Sequence, residues 1–117
     1  STGKRGEELA AAYLTEKGYR IIERNYRCSF GEIDIVAEEG GTLVFVEVKS
    51  RRSDAYGVPQ LAVGHRKQQK LSRIALHYVQ ERRWSHRPAR FDVVAVKLLP
   101  SGCRIEIIPN AFELSAV

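Results

Sequence analysis

The chain has 117 residues, 44% hydrophobic and 28% charged, with a formal net charge of +5. That length suffices for one domain with its own core and no disulfide staples, so Cys28 and Cys103 read as free thiols. No run approaches the roughly 18 apolar residues of a membrane span and the polar N-terminus lacks a signal-peptide core, so no membrane partner is expected and the cytoplasm is the expected compartment.

Residues 5–17 read as a helix, with Leu9, Ala10, Tyr13 and Leu14 on one stripe and Gly18 as its stop. Residues 19–23 predict a short strand, from which Arg24-Asn25-Tyr26-Arg27 leads towards a hairpin. Residues 31–51 give two apolar strands joined by Gly40-Gly41, and residues 51–59 a basic, turn-rich loop with one aromatic, Tyr56. A second helix is expected over roughly 62–83, with Leu71, Ile74, Ala75, Tyr78 and Val79 at helical spacing. Residues 84–89 connect it to an alternating strand over 90–99. Pro100-Ser101-Gly102 then turns the chain into a strand over 103–108, followed by Pro109-Asn110 and a tail with Ala111, Phe112 and Leu114. This order predicts an α/β fold, a central mixed sheet flanked by helices, with the second helix crossing over between the hairpin and the later strands. No Gly-rich phosphate loop follows the first strand, which argues against a Rossmann unit.

The hairpin carries the chemistry. With Gly40-Gly41 as a two-residue loop, Glu39 pairs with Thr42, Asp34 faces Glu47 and Glu32 faces Lys49. Strict alternation places Asp34, Glu47 and Lys49 on one face, and Ile33, Ile35, Val44, Val46 and Val48 on the other. Two opposed carboxylates repel, and a cation resolves the repulsion. Oxygen donors without His or Cys partners suit Mg²⁺ or Mn²⁺ rather than Zn²⁺. Lys49 shares the face, where it can orient a water or meet negative charge developing at phosphorus. A solvent-facing strand with ordinary charges would show the same Glu-Val-Lys triplet.

Glu7 lies close to the buried stripe of the first helix and can point inward as a third carboxylate. Without the hairpin, an acid acting on the helix dipole is the preferred account, and Glu8 is as good a candidate. Lys67, four residues before Leu71 and seven before Ile74, can contact a phosphate or Asp34, or simply snorkel. Ten Lys or Arg residues lie from Arg51 to Arg90 against Asp54 and Glu81, giving this stretch +8 and the remainder −3. Such a distribution fits a polyanion, and equally a set of solvated helix faces. Arg51, Arg52, Arg66, Lys70 and Arg73 are the candidate phosphate contacts, and Tyr56 can stack on a base or be an ordinary loop aromatic. Asp92, in line with Val94 and Val96, is expected to pair with a basic residue such as Arg90, or with the sheet edge, in a structural role. His65, His77 and His86 form no motif, so nucleophilic catalysis is not indicated.

Gly6-Glu7, Tyr13-Leu14, Gly18-Tyr19, Asn25-Tyr26, Gly31-Glu32-Ile33-Asp34, Val44-Phe45-Val46-Glu47-Val48-Lys49-Ser50-Arg51, Ala62-Val63, Lys67 and Arg90-Phe91-Asp92 resemble the bacterial YraN-like family, over nearly the whole chain. That family is similar to archaeal Holliday-junction resolvases within the restriction-endonuclease-like PD-(D/E)xK superfamily. The resemblance implies an αβββαβ core and Mg²⁺-dependent phosphodiester cleavage. It also implies Glu7, Asp34, Glu47 and Lys49 as the site, with the Val48 carbonyl as a further ligand. Ile33 stands where the motif's name has proline, a departure common among junction-resolvase-like members.

The expected function is that of a Mg²⁺- or Mn²⁺-dependent endonuclease on structured or branched DNA. In it Asp34 and Glu47 hold the ion, Glu7 reaches it directly or through water, Lys49 positions the attacking hydroxide and Lys67 steadies the phosphate. The alternative is a non-catalytic nucleic-acid-binding module of the same fold. A third is an interaction protein, a homodimer through an apolar edge or the tail around Phe112 and Leu114.

Overall fold

Residues 1–52 and 63–113 are described by the computed structural model. Along them run α1 (Thr2–Glu16), β1 (Arg20–Cys28), β2 (Gly31–Glu39), β3 (Thr42–Arg52), α2 (His65–Glu81), β4 (Ala89–Leu99) and β5 (Gly102–Phe112). The strands form one sheet in the order β1-β2-β3-β4-β5. Every neighbouring pair is antiparallel except β3 and β4, which run parallel. A parallel pair needs a crossover, and α2 lies between β3 and β4 in the chain, as expected. The result is the α/β architecture anticipated, a mixed five-stranded sheet with two helices. Among the described residues no helix is long and apolar enough to cross a membrane.

Gly40 and Gly41 both have positive φ, +58° and +85°, the backbone that a two-residue hairpin loop with the right twist requires. The expected register follows, from Glu39 opposite Thr42 to Ile35 opposite Val46. The helices fit their predicted stripes with shifted ends. The first begins at Thr2 rather than residue 5, because the Ser1 hydroxyl accepts the Lys4 N–H at 3.2 Å as an N-cap. The first and last strands are longer than their apolar runs suggest. β1 continues through Asn25 (φ +54°) and β5 through Pro109-Asn110, with a register shift between Phe91 and Val93 that absorbs the irregularity. Pro109 is tolerated because β5 is an edge strand.

The hairpin does not divide into one polar and one apolar face. Both faces of the sheet are covered. Ala10 and Leu14 of α1 pack with Ile35, Ala37, Val44, Val46, Val94 and Val96. Leu71, Ile74, Ala75 and Tyr78 of α2 pack with Ile33, Val36, Leu43, Phe45 and Phe91 on the reverse. Ile33 and Ile35 thus lie on opposite faces although two residues apart, so the alternation slips by one at Asp34.

Asp92 takes the structural role expected of it. It is fully buried and accepts hydrogen bonds from Tyr19 Oη (2.8 Å), Arg90 Nε (3.0 Å) and the Asn110 N–H (2.9 Å). Burial, then the bond to Asp92, raises the Tyr19 phenol above its ordinary value. Phe112, proposed above as part of a dimer contact, is instead buried in this chain's own core, stacked on Phe91 at 4.4 Å. Leu114 lies outside the described residues.

Candidate functional site

The slip at Asp34 creates the site. The β2–β3 ladder runs from the turn only as far as Ile35 and Val46. Beyond it the Val48 N–H donates to the Asp34 carboxylate at 2.7 Å, so a side chain replaces a backbone partner between the strands. On the other side, Asn25 of β1 sits between the paired rows Arg24–Ile35 and Tyr26–Ile33, at the level of Asp34, in the left-handed region. Both strands therefore leave regular geometry at one level of the sheet.

Glu7 arrives there because α1 approaches β3 closely. A Cβ on Gly6 would fall 1.8 Å from Ser50 Oγ, so only glycine permits this contact. Because α1 begins at Thr2, Glu7 is in the helix's second turn, and the dipole account loses its basis, since that effect fades within the first turn. Carboxylate oxygens of Glu7, Glu32 and Asp34 lie within 4.8 Å of one another. Asn25 Nδ2 donates to Glu7 at 2.6 Å and to Glu32 at 2.9 Å, while Arg27 Nε donates to Glu32 at 2.9 Å. Glu32 and Asn25 are the residues that sequence reasoning missed. Placing Glu32 opposite Lys49 followed from a register that stops short of it.

Glu47 stands beside this trio rather than in it. It shares a hydrogen bond with Asp34. It also pairs with Lys67, whose Nζ is 3.1 Å from Glu47 Oε2, with Glu47 at 15% and Lys67 at 49% exposure. The lysine thus meets Glu47, not Asp34. Four carboxylates are gathered where β2 and β3 part, and all four donors are hard oxygens. This set fits Mg²⁺ or Mn²⁺, with Glu7, Glu32 and Asp34 able to reach one ion and Glu47 next to them.

Burial, the hydrogen bond with Glu47 and the nearby Glu47 and Glu7 charges push Asp34 up to about 8, against the lowering effect of the Val48 N–H. An unfolded aspartate titrates near 3.9. Between these values the metal-free native state holds a proton that the unfolded state has released, so the contribution of Asp34 to stability falls as pH rises from about 4 to about 8. Asp34→Asn, which keeps an acceptor for Val48, should therefore gain in Tm relative to the parent as pH is raised from 5 to 9 in a chelator. A Tm difference constant across that range would show that Asp34 titrates normally.

The basic stretch is less available than its charge implies. Arg82 pairs with Glu23 at 2.6 Å, Arg87 with Glu38, and Arg90 with Glu39 at 3.1 Å and with Asp92. Acids of β1 and β2 thus answer much of the positive charge following α2. Arg66, Lys67, Lys70 and Arg73 are exposed along α2, and Arg66, Lys70 and Arg73 have no ion pair among the described residues. Arg51 and Arg52 close β3, and Lys49 precedes them on the same strand. Tyr56 and most of the 51–59 loop lie outside the described residues.

A family model described as "Uncharacterised protein family UPF0102" matches residues 6–96. Over 114 residues the chain is 67% identical to a UPF0102 protein of Syntrophus aciditrophicus, covering 97% of this chain and 90% of the relative. A Geobacter sulfurreducens relative is 57% identical over 97% of this chain and 89% of its own length. One from Thermodesulfovibrio yellowstonii is 49% identical over 94% of each.

Proposed function

The chain belongs to the UPF0102 family, and we propose that it is a Mg²⁺- or Mn²⁺-dependent endonuclease acting on structured or branched DNA. The observation that carries this reading is the meeting of the Glu7, Glu32 and Asp34 carboxylates within 4.8 Å where two strands separate. Like charges held that close, one of them desolvated, are costly unless a cation or a proton offsets them. A bound divalent ion would supply Lewis-acid polarisation of a phosphoryl oxygen and lower the pKa of an attacking water. Glu7, Glu32 and Asp34 would hold it, Glu47 would complete the donor set, and the Val48 carbonyl is the further ligand that the family resemblance implies. Asn25, donating to both, fixes the Glu7 and Glu32 carboxylates. Lys49 orients the attacking hydroxide. Lys67 sits on Glu47 until substrate arrives and then meets the phosphate, while Arg51, Arg52, Arg66, Lys70 and Arg73 bind the flanking backbone.

The test is a Mg²⁺ and Mn²⁺ titration against four-way, flapped and linear DNAs. Cleavage that requires the ion, prefers branched substrates and stops with a chelator is the expected result. The Lys67–Glu47 ion pair favours a second reading, a non-catalytic nucleic-acid-binding module whose acids are partly neutralised from within. Salt-sensitive binding of the same DNAs with no cleavage at any ion concentration would select it and reject the nuclease.

A further inference from the structure

We propose that Phe30 is a base-stacking subsite beside the carboxylates, taking an unpaired nucleobase of a strand whose phosphates lie along α2; its ligand rests on the nucleic-acid reading above. Phe30 occupies the two-residue turn Ser29-Phe30 between β1 and β2, closed by the Cys28–Gly31 pair. It is 44% exposed, the exposed large hydrophobic among the described residues. A single exposed apolar side chain means little by itself. Its surroundings give it meaning. The ring shares a groove with Arg73, Leu76, His77 and Gln80. The His77 ring props it edge-on, centroids 6.2 Å apart at 76°, which limits how the phenyl can turn.

The cations are placed to match. Lys70 crosses the backbone next to Phe30, so that a Cβ on Gly31 would lie 2.6 Å from Lys70 Cε and 3.3 Å from its Nζ. Gly31 has φ +138°, and its missing side chain is what lets the ammonium reach this end of β2. Arg73 lines the groove itself. Glu32 follows Phe30 by two residues, across Gly31 at the start of β2. An aromatic, a lysine and an arginine thus come together on the α2 side, and Glu32 of the carboxylate trio is two residues along the chain. That sequence of chemistries suits a nucleotide chain, with the base on Phe30, its phosphates on Lys70 and Arg73, and the neighbouring phosphodiester towards the acids. The positive charge around the ring argues for this occupant over a second copy of the chain, which would bring its own basic α2 face.

The test uses forked DNA with 2-aminopurine at the unpaired position next to the branch, in a chelator so that nothing is cut. The wild-type chain should quench the probe on binding. Phe30→Ala should weaken binding about tenfold and abolish the quench, in line with the cost of losing one stacked base. Phe30→Trp should retain both, and Phe30→Leu should behave like Phe30→Ala, because an apolar but non-aromatic side chain cannot stack. Since Phe30 is half-exposed, the three variants should unfold at the wild-type temperature. Unchanged affinity and quench in Phe30→Ala would overturn the subsite while leaving the nuclease reading intact. Binding restored by leucine, or a change in sedimentation in Phe30→Ala, would assign the groove to an apolar protein contact instead. A wild-type chain that binds no DNA would remove both readings.

Discussion

Asp34→Ala is expected to lower the cleavage rate on branched DNA by about a thousandfold, the scale of the several kcal/mol of charge stabilisation that a bound metal ion supplies. Asp34 belongs to the carboxylate trio and also touches Glu47, so its removal breaks the donor set in both directions. Asp34→Asn is the cleaner variant. An amide oxygen can still accept the Val48 N–H now held at 2.7 Å, so the parted strands keep their geometry while the charge is lost. Binding should survive both changes and tighten slightly, because one negative charge facing a phosphate is gone. Single-turnover rates at saturating protein, beside anisotropy with the same substrate, separate the two effects. Glu47→Ala should lose cleavage on a similar scale. If Asp34→Asn and Glu47→Ala both cut at the wild-type rate, the site lies elsewhere.

The parts of this site legible in the sequence are those set by local rules. A Gly-Gly loop determines a hairpin's register by its own backbone, and here that register holds to Ile35 and Val46, the residues next to Asp34 and Glu47. The apolar stripe of α1 left Glu7 and Glu8 level as candidates, and the family resemblance singled out Glu7. Glu32 was hidden because a register holds only while strands stay paired, and here pairing stops at Ile35. The cause is the break at Asn25 and Asp34, where one strand bends through a left-handed asparagine and the other replaces a backbone contact with a carboxylate. No periodicity announces such a slip. The basic stretch misled for a different reason. Net charge counts residues wherever they point, and Arg82, Arg87 and Arg90 turn to Glu23, Glu38 and Glu39 on strands far away in the chain. Phe112 was misplaced because Pro109 looks like a strand's end, whereas an edge strand can carry proline and continue.

Asp92→Ala should destabilise the fold by about 3–5 kcal/mol, the range for breaking one side of a buried charge pair. The carboxylate is fully buried, and three donors converge on it, Arg90 from its own strand and Tyr19 and the Asn110 N–H from other parts of the chain. Tyr19 lies between α1 and β1, Arg90 in β4 and Asn110 in β5, so one acid joins the connection after α1 to the last two strands. Alanine would leave the buried Tyr19 hydroxyl and the Asn110 N–H without that acceptor. Arg90 would be less affected, since it is 22% exposed and keeps Glu39 at 3.1 Å, which places the loss towards the lower end of the range. A melting temperature lower by roughly 10–20 °C corresponds to it. Tyr19→Phe removes a single donor and should cost about 1–2 kcal/mol. The double variant should cost less than the sum, because once Asp92 is gone the tyrosine hydroxyl has nothing left to lose there. Additive losses would mean that the two side chains act independently. Cleavage and DNA binding by Asp92→Asn, measured well below its unfolding temperature, should stay within a few-fold of wild type. A folded Asp92→Asn that cannot cut would move this residue from the scaffold into the site.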